Sequence, residues 1–487
     1  MRRVTRHVAI DVGAESGRVM LGSLDGRVLR LREVNRFANE PVRVGHSLHW
    51  DMDGIHDGIE AGLNGLAGEQ VASVGVDTWG CDYGLVDERG ELLGRPHHYR
   101  DHRTDGVMAR VLERVGRDRV YGTTGIQCLP FNTLYQLVAA RESNSEMMAT
   151  AHRLLTIPDL INHRLTGRMV CEFTNATTTQ CVDARTGAWA TDLLADLDLP
   201  VRLFGEIVRP GTVLGPLSLK TVPGLDGAPV VAPACHDTGS AFAAVEAGGD
   251  RAFLSCGTWS LLGTEMPAPV ITARSRDLNF TNEGGVSGTF RLLKNIGGLW
   301  MLQACRRVWA EREERWSYED LVDAARDDRH AFRVVLDPDD PRFLNPRDMT
   351  AEIDVYCAER KQPSPEGAGG YTRAILESLA LKYRLVLDTL EEVSGRTFRT
   401  VRMVGGGSRN ALLAQFTANA TGRTVLTGPT EATALGNIAV QMIATGVVGS
   451  LADARALVDR SFPPDRYEPR SSTAWDAALD RLRGYLA

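Results

Sequence analysis

The sequence predicts an α/β protein built from two related domains, each a mixed sheet flanked by helices, with a cleft between them. A chain of 487 residues is too long for one hydrophobic core. Short apolar runs alternate with stretches of helical periodicity, which favours a layered α/β arrangement. A strand, a polar residue and a glycine turn at residues 7–13 recur at residues 251–257. We therefore predict two domains, residues 1–247 and 248–487.

The first elements are predicted to form a hairpin followed by a third strand. Residues 7–11 and 18–24 are apolar runs, and Asp25-Gly26 is a hairpin signal before a strand that starts at Val28. Apolar residues at helical spacing predict a helix over Asp53 to Ala67. We also predict strands over residues 71–76 and 83–86. Residues 104–200 are predicted to be mainly helical. The polar stretch 172–180 favours a capped turn or a polar strand over a binding site.

The second half contains further transitions from strand to helix. An apolar run from Val230 is followed by a small-residue helix pattern, so Asp237 lies at the end of a strand. Residues 363–370 predict a loop before a long helix over residues 371–392, which Gly395 would end as a C-terminal cap. A strand over residues 401–404 precedes three glycines and another helix.

Composition limits the functional class. The net charge of −7 and the lack of a long basic run argue against a nucleic-acid partner. The eight cysteines form no Cys-x-x-Cys pair, and their apolar surroundings indicate buried thiols in a reducing, cytoplasmic protein. The apolar run after the basic start is too short for a signal peptide, and no run approaches the roughly 18 residues of a membrane span. We expect no membrane partner, and a monomer or a small homo-oligomer.

Three glycine turns are candidate phosphate sites, because glycine lets backbone N–H groups approach phosphate oxygens. They are Asp11 to Arg18, Ser255 to Thr258, and Gly405 to Ser408. Asp11, at a strand end, could hold a hydrated Mg²⁺. A plain hairpin turn and a tight turn between strand and helix remain the alternatives for these segments.

Asp237 is the candidate general base. A sugar hydroxyl is a poor nucleophile, and a carboxylate that accepts its proton assists attack on a phosphoryl group. His236 and Thr238 flank it and could orient a sugar. Asp237 could instead cap the helix that follows. Trp79 beside Gly80 could present a flat face to a sugar or belong to the core.

Taken together, these residues resemble the FGGY carbohydrate kinases of the actin-like ATPase superfamily. The likeness runs from Val8 to about residue 465. It is carried by these segments: residues 11–21, 75–80, 99–104, 129–137, 174–180, 236–238, 255–261, 281–285, 293–296, 404–407 and 436–438. The resemblance implies two actin-like (ribonuclease H-like) domains, with sugar bound mainly by the first and nucleotide mainly by the second.

The resemblance also implies roles for individual residues. Asp237 would be the proton acceptor. The implied ATP contacts are Ala14, Glu15, Ser16, Gly17, Arg18, Thr258, Gln303, Gly405, Gly406 and Gly407. The implied sugar contacts are Gly80, His236, Asp237, Thr238 and Asn295. Glu15 and Cys256 stand where other members carry serine, so the Glu15 side chain is expected to point away from the phosphates.

The strings at residues 130–136 and 174–180 point to the members that act on L-rhamnulose. The implied reaction is ATP-dependent phosphorylation of L-rhamnulose at O1, in L-rhamnose catabolism. A kinase for another ketose or deoxy-ketose, such as L-fuculose, xylulose or ribulose, is the near alternative. An actin-like or chaperone-type ATPase without a sugar acceptor and an inactive sugar-binding regulator are the distant ones.

Overall fold

The computed structural model describes residues 4–218, 225–328, 330–470 and 473–486. The chain divides into two compact units. Unit 1 comprises Met1–Glu246, Glu265–Leu292 and Ala432–Phe462, and unit 2 comprises Ala247–Thr264, Leu293–Glu431 and Pro463–Ala487. Two later segments of the chain therefore pack with the first half. Among the described residues, no helix is both long and apolar enough to cross a membrane.

The elements up to residue 246 all belong to unit 1. In chain order they are β1 Thr5–Val12, β2 Ser16–Asp25, β3 Val28–Ala38, β4 Val42–Val44, β5 Ser47–His49, α1 Met52–Asn64, β6 Ser73–Thr78, β7 Tyr83–Val86, α2 Val107–Val115, α3 Arg117–Thr124, α4 Thr133–Ser143, α5 Ser145–Thr150, β8 Arg153–Thr156, α6 Ile157–Thr166, β9 Cys171–Glu172, α7 Phe173–Thr178, α8 Thr191–Asp196, β10 Ile207–Val208, β11 Thr212–Pro216, β12 Pro229–Ala232 and α9 Asp237–Ala244.

The later elements continue the numbering. They are β13 Arg251–Cys256, β14 Trp259–Met266, α10 Ala273–Asp277, β15 Thr281–Gly284, β16 Phe290–Gly297, α11 Trp300–Glu311, α12 Tyr318–Asp327, α13 Met349–Glu359, α14 Gly367–Ser394, β17 Thr400–Val404, α15 Ala411–Thr421, β18 Thr424–Thr427, α16 Ala432–Ala444, α17 Leu451–Ser461, β19 Asp465–Tyr467 and α18 Thr473–Leu486. Of these, α10, β15, α16 and α17 lie in unit 1.

The main sheet of unit 1 has the strand order β11-β12-β6-β1-β2-β3. Strand β1 is central, antiparallel to β2 and parallel to β6. Its last six residues are buried, as expected for an apolar strand covered on both faces. The register sets Asp11 opposite Arg18 on β2 and opposite Asp77 on β6. Two carboxylates and a guanidinium therefore meet at one end of the sheet.

The strands of unit 2 repeat this pairing. Strand β13 is antiparallel to β14 and parallel to β17, and the order continues through β18 to β19. The register places Ser255 opposite Val404, so the turn after β13 and the glycine segment after β17 leave the same edge of the sheet. The recurrence seen in the sequence is thus a recurrence of the same strand pairing.

Several predicted elements are confirmed, with shifted ends. The first three strands and β7 lie where predicted, whereas the first helix ends at Asn64 and β6 runs from Ser73 to Thr78. Residues 173–178 form a buried helical segment that the Glu172 side chain caps. The predicted cap is therefore confirmed, whereas the alternative of a polar strand is wrong. Helix α14 begins at Gly367, inside the predicted loop, and Gly395 ends it in the left-handed conformation with φ of 66°.

Gly436 allows α16 to pack directly on α9, the helix that begins with Asp237. A Cβ atom at Gly436 would lie 1.7 Å from the backbone oxygen of Ser240. We expect Gly436→Ala to lower the free energy of unfolding by about 2–3 kcal/mol, because backbone cannot retreat as a side chain can. The midpoint of thermal unfolding, followed by circular dichroism, measures this loss.

Gly484→Ala is the matched control. Gly484 is an exposed residue of α18, and a Cβ atom there would have no neighbour within 4 Å. Alanine is a better helix former than glycine, so this variant should be at least as stable as the wild type. Equal midpoints for both variants would contradict the proposed close contact between α9 and α16.

Candidate active site

Asp237 is the first residue of α9 and follows the loop after β12. The Oδ1 atom accepts hydrogen bonds from the backbone N–H and, at 3.0 Å, the hydroxyl of Thr238. No described residue hydrogen-bonds Oδ2, and the side chain is 30% exposed. One oxygen is thus held in place while the other is available to a ligand.

The hydrogen bonds of Asp237 bear on the alternative that it caps helix α9. The N-cap residue of α9 is His236, whose side chain makes no capping hydrogen bond. Asp237 satisfies one backbone donor of the first turn through Oδ1. Because this uses only one oxygen, the helix contact orients the carboxylate without occupying it.

The loop that leads to Asp237 is held by the polar segment 172–180. The Cys235 N–H donates to Glu172 Oε2 at 3.0 Å, and the His236 N–H donates to Thr174 Oγ1 at 3.1 Å. Thr174 in turn donates to Glu172, which is fully buried. Burial raises the pKa of Glu172, and the hydrogen bonds it accepts oppose this. The density of hydroxyls and amides in this segment is visible in the sequence, but its supporting role follows only from these tertiary contacts.

Gly80 and Cys81 form a tight turn against the same segment. A Cβ atom at Gly80 would lie 2.9 Å from Thr178 Oγ1, so only glycine fits this approach. The Cys81 N–H donates to that hydroxyl at 3.0 Å, and Cys81 has a φ of 72°, a conformation costly for residues with a side chain. Thr133 Oγ1 donates to the Cys81 carbonyl at 2.5 Å. Contacts on both sides of the turn hold its strained backbone.

Asp82 is the polar centre beneath this turn. Its carboxylate accepts hydrogen bonds from the indole N–H groups of Trp50 and Trp79, at 2.6 and 3.0 Å, and from Gln136 at 2.8 Å. Burial raises the pKa of Asp82 to about 6, against the effect of these donors. The Trp79 ring is buried and packs on Trp50 with centroids 4.1 Å apart. Trp79 is therefore a core residue that supports the Gly80 turn.

A cluster of carboxylates lies at the end of β1 and β6. Asp11 pairs with the Arg18 guanidinium, and Asp77 Oδ2 accepts a hydrogen bond from Asn437 Nδ2 at 2.6 Å. Burial raises the pKa of Asp77 well above its ordinary range, and the charges of Asp11 and Asp237 add to the shift. Carboxylate oxygens such as those of Asp11 are the ligands that Mg²⁺ prefers.

The turn between β1 and β2 carries the first set of predicted ATP contacts. Ala14 and Ser16 are half-buried, and Glu15 is exposed. The Gly13 N–H donates to the Ser16 carbonyl at 2.9 Å, and Asn39 Nδ2 donates to the Gly13 carbonyl at 2.8 Å. A Cβ atom at Gly17 would lie 2.1 Å from the Phe37 ring, so this glycine is required by packing whatever it binds.

The second and third glycine turns both lie in unit 2 and contact each other. A Cβ atom at Gly405 would lie 2.9 Å from the Cys256 carbonyl, and one at Gly407 would lie 2.3 Å from Cys256 Sγ. Gly406 differs, because it is exposed and a Cβ atom there would meet nothing within 4 Å. The outer two glycines thus allow close packing, while the middle one faces open space.

The turn at Thr258 is fixed by the start of α11. The Leu299 and Trp300 N–H groups donate to the carbonyls of Gly257 and Thr258, at 2.9 and 3.2 Å. Gln303, one turn further along α11, has a buried Oε1 atom without a hydrogen-bond partner among the described residues. A buried amide oxygen of this kind is costly unless a ligand or water completes it.

The predicted site residues thus fall into two groups, one in each unit. The residues of unit 1 are Asp11, Ala14, Glu15, Ser16, Gly17, Arg18, Gly80, His236, Asp237 and Thr238. The residues of unit 2 are Thr258, Asn295, Gln303, Gly405, Gly406 and Gly407. Asn295 is half-buried on β16.

Both halves of the sequence match one family. Residues 7–244 match the N-terminal domain, and residues 252–445 the C-terminal domain, of the FGGY family of carbohydrate kinases. The chain belongs to this family. The predictions of a sugar kinase and of an α/β protein with two FGGY domains of the actin-like fold are confirmed.

Individual relatives agree with the family assignment. A rhamnulokinase of Bacteroides thetaiotaomicron is 46% identical over 476 residues, covering 96% of this chain and 97% of the relative. A rhamnulokinase of Oceanobacillus iheyensis is 40% identical over 94% of this chain and 97% of its own length.

Two solved structures of FGGY kinases share the fold at low sequence identity. A gluconate kinase from Lactobacillus acidophilus has a TM-score of 0.81 at 16% identity, covering 99% of this chain and 97% of that chain. A Plasmodium falciparum glycerol kinase with ADP has a TM-score of 0.78 at 15% identity, covering 99% and 98%.

Proposed function

We propose that the protein transfers the γ-phosphoryl group of ATP to O1 of L-rhamnulose, giving ADP and L-rhamnulose 1-phosphate. The observation that carries this proposal is Asp237, with Oδ1 held by Thr238 and Oδ2 open. Rhamnulokinases 40–46% identical over nearly the whole chain support the choice of sugar.

Asp237 Oδ2 would accept the proton of the O1 hydroxyl during attack. The O1–phosphorus bond forms as the bond between the γ-phosphorus and its bridging oxygen breaks, and ADP leaves with the electron pair. A carboxylate oriented through its other oxygen is suited to this role, because it need not reorganise when the sugar arrives. The negative charge on the transferring group must be neutralised by other parts of the site.

Backbone and side-chain donors from the glycine turns would hold the nucleotide. The proposed contacts are Ala14, Glu15, Ser16, Gly17, Arg18, Thr258, Gln303, Gly405, Gly406 and Gly407. The exposed Gly406 and the unpartnered oxygen of Gln303 are the two observations that support them most directly. For Glu15 the contact would be through its backbone, since a carboxylate would repel the phosphates.

Asp11 would hold Mg²⁺ through water. When bound, Mg²⁺ neutralises phosphate charge. Asp11 and Asp77 lie opposite each other at the ends of β1 and β6, so carboxylate oxygens are available near this point. Asp77 and its partner Asn437 would keep the end of β6 in place beside Asp11.

The sugar would be read by polar groups around Asp237. The proposed contacts are Gly80, His236, Thr238 and Asn295. The half-buried turn at Gly80 offers backbone groups whose positions the Thr178 contact fixes. A sugar with one inverted hydroxyl would leave such a group unpaired, which costs about 1–3 kcal/mol.

We also propose that the protein works in the cytoplasm, as a monomer or small homo-oligomer. All eight cysteines are free thiols, and seven of them are buried. Free thiols are typical of a reducing compartment.

We expect the highest kcat/KM on L-rhamnulose when ADP release is measured across a panel of sugars. L-Fuculose, another 6-deoxy ketose, should be poorer by roughly 5- to 150-fold, because a mismatched hydroxyl costs about 1–3 kcal/mol. Glycerol should be essentially inert, since it lacks most of the hydroxyl contacts.

The panel also separates the alternatives. A higher kcat/KM on D-xylulose, L-ribulose or L-fuculose than on L-rhamnulose would contradict the choice of L-rhamnulose as substrate. The proposed sugar kinase activity would still stand. ATP turnover at the same rate with and without every sugar would contradict sugar phosphorylation itself.

A further inference from the structure

A buried ion pair lies directly behind His236 in unit 1. Arg291 has no exposed surface, and Glu283 is 4% exposed. The Arg291 Nη1 atom lies 3.0 Å from Glu283 Oε2, and Arg291 Nε donates to the Gly284 carbonyl at 2.8 Å. Burial by itself would raise the pKa of Glu283, but the charge of Arg291 acts against this, and the pKa lies below its ordinary value. The pair is therefore charged, and its arginine is firmly oriented.

Both terminal nitrogens of Arg291 face the His236 ring. Nη1 and Nη2 each lie 3.2 Å from His236 Nδ1 with hydrogen-bond geometry. The other ring nitrogen, Nε2, lies 3.3 Å from Asp237 Oδ1. The imidazole of His236 thus connects the buried arginine to the proposed base.

Arginine can only donate, so an N–H of Arg291 requires an unprotonated acceptor at Nδ1. A ring whose Nδ1 accepts carries its proton on Nε2, which is the nitrogen beside Asp237. We infer that Arg291 is a positioning residue that keeps His236 in the Nε2–H tautomer, so that the protonated nitrogen of the ring faces Asp237 Oδ1.

This tautomer completes the orientation of the base. Oδ1 of Asp237 then accepts hydrogen bonds from the Thr238 N–H and hydroxyl, and the Nε2–H of His236, 3.3 Å away, adds an electrostatic attraction without a hydrogen bond. Oδ2 remains the oxygen that meets the sugar hydroxyl. The opposite tautomer would set an Nε2 lone pair against Oδ1, and that repulsion would turn the carboxylate away from its working position.

Glu283 could in principle reverse the tautomer by accepting a proton from Nδ1. Glu283 Oε2 lies 3.3 Å from Nδ1, slightly farther than either arginine nitrogen. Oε2 has no partner that meets hydrogen-bond geometry among the described residues. The arginine contact is therefore the one that decides which nitrogen carries the proton.

The tautomer can be read by long-range ¹H–¹⁵N correlation NMR on ¹⁵N-histidine-labelled protein, with and without L-rhamnulose. The chain has eleven histidines, and the signals that disappear in His236→Gln identify the right ring. We expect Nδ1 to resonate as an unprotonated nitrogen and Nε2 as a protonated one. A proton on Nδ1, or on both nitrogens, would overturn the inference.

Two variants distinguish the effect of Arg291 on the His236 tautomer from the effect of Glu283. In Glu283→Gln the arginine remains, so the His236 tautomer should be unchanged. In Arg291→Met/Glu283→Leu both charges are removed together, because a lone buried carboxylate would destabilise the fold. There the Nδ1-protonated form should become populated, and kcat should fall about 10- to 100-fold with little change in the KM for sugar.

A purely structural role for Arg291 makes a different prediction. The double variant would then lose thermal stability while His236 kept its tautomer, and that result would contradict the inference. A changed His236 tautomer in Glu283→Gln would also contradict the inference, because Glu283 would then determine which ring nitrogen carries the proton. The inference rests on the proposed role of Asp237, but the tautomer is read without turnover. A protein with the expected tautomer and no activity on L-rhamnulose would therefore refute the proposed function alone.

Discussion

Asp237→Asn should lower kcat by roughly 10²–10⁴-fold while leaving the affinity for L-rhamnulose nearly unchanged. The amide retains an oxygen that can accept from Thr238, so the local structure should persist, but it cannot take up the proton of a sugar hydroxyl. Steady-state kinetics give kcat, and isothermal titration calorimetry gives the dissociation constant for the sugar.

Asp57→Asn is the matched control for this substitution. Asp57 is an exposed residue on α1 of the same unit, and its replacement should leave both measurements unchanged. A folded Asp237→Asn protein with near-normal kcat would remove Asp237 from the role of base.

Gly406→Val should raise the KM for ATP by about 10²-fold or more and leave the KM for sugar close to that of the wild type. The exposed backbone of Gly406 has open space where a Cβ atom would project, so valine fits the folded chain but would occupy the place of a phosphate. Loss of two charge-assisted hydrogen bonds at about 1.5–3 kcal/mol each accounts for an effect of this size.

Gly407→Ala gives the contrasting outcome from the neighbouring residue. Its Cβ atom would meet Cys256 Sγ at 2.3 Å, so this variant should lose thermal stability first. Equal increases in both KM values for Gly406→Val, together with a lower unfolding midpoint, would indicate damage to the fold and would contradict a nucleotide contact at Gly406.

The strands could be predicted because their local signals agree with their tertiary setting. Strand β1 is a short apolar run because both of its faces are covered, and the Asp25-Gly26 turn leads directly into β3. The ends of elements are harder to predict. The extent of β6, for example, follows from its pairing with β1, and nothing in its own residues marks that partner.

Helix α7 shows a different limit. Its threonines and asparagine have low helix propensity, so the local signal favours a turn. The segment is helical because Glu172 caps it, accepting from the backbone N–H groups of Thr174 and Asn175, and because its surroundings bury it completely. Such support comes from tertiary contacts that a sequence pattern does not contain.

The candidate base could be located from sequence, but the residues that orient it could not. Asp237 lies at a transition from strand to helix, which is a local pattern. Glu283 on β15 and Arg291 on β16 lie about fifty residues away in the sequence, and only the fold brings them to His236. Gly436 is similar, since its need for glycine comes from the Ser240 carbonyl on another helix.

The position of the phosphate in the product tests the central claim most directly. Wild-type protein would be incubated with ATP, Mg²⁺ and L-rhamnulose, and ¹H–³¹P correlation NMR would locate the new ester. We predict a single product with phosphorus coupled to the C1 protons and one ADP formed for each sugar phosphate. Phosphate on another carbon, or ADP and inorganic phosphate without a sugar ester, would contradict the account.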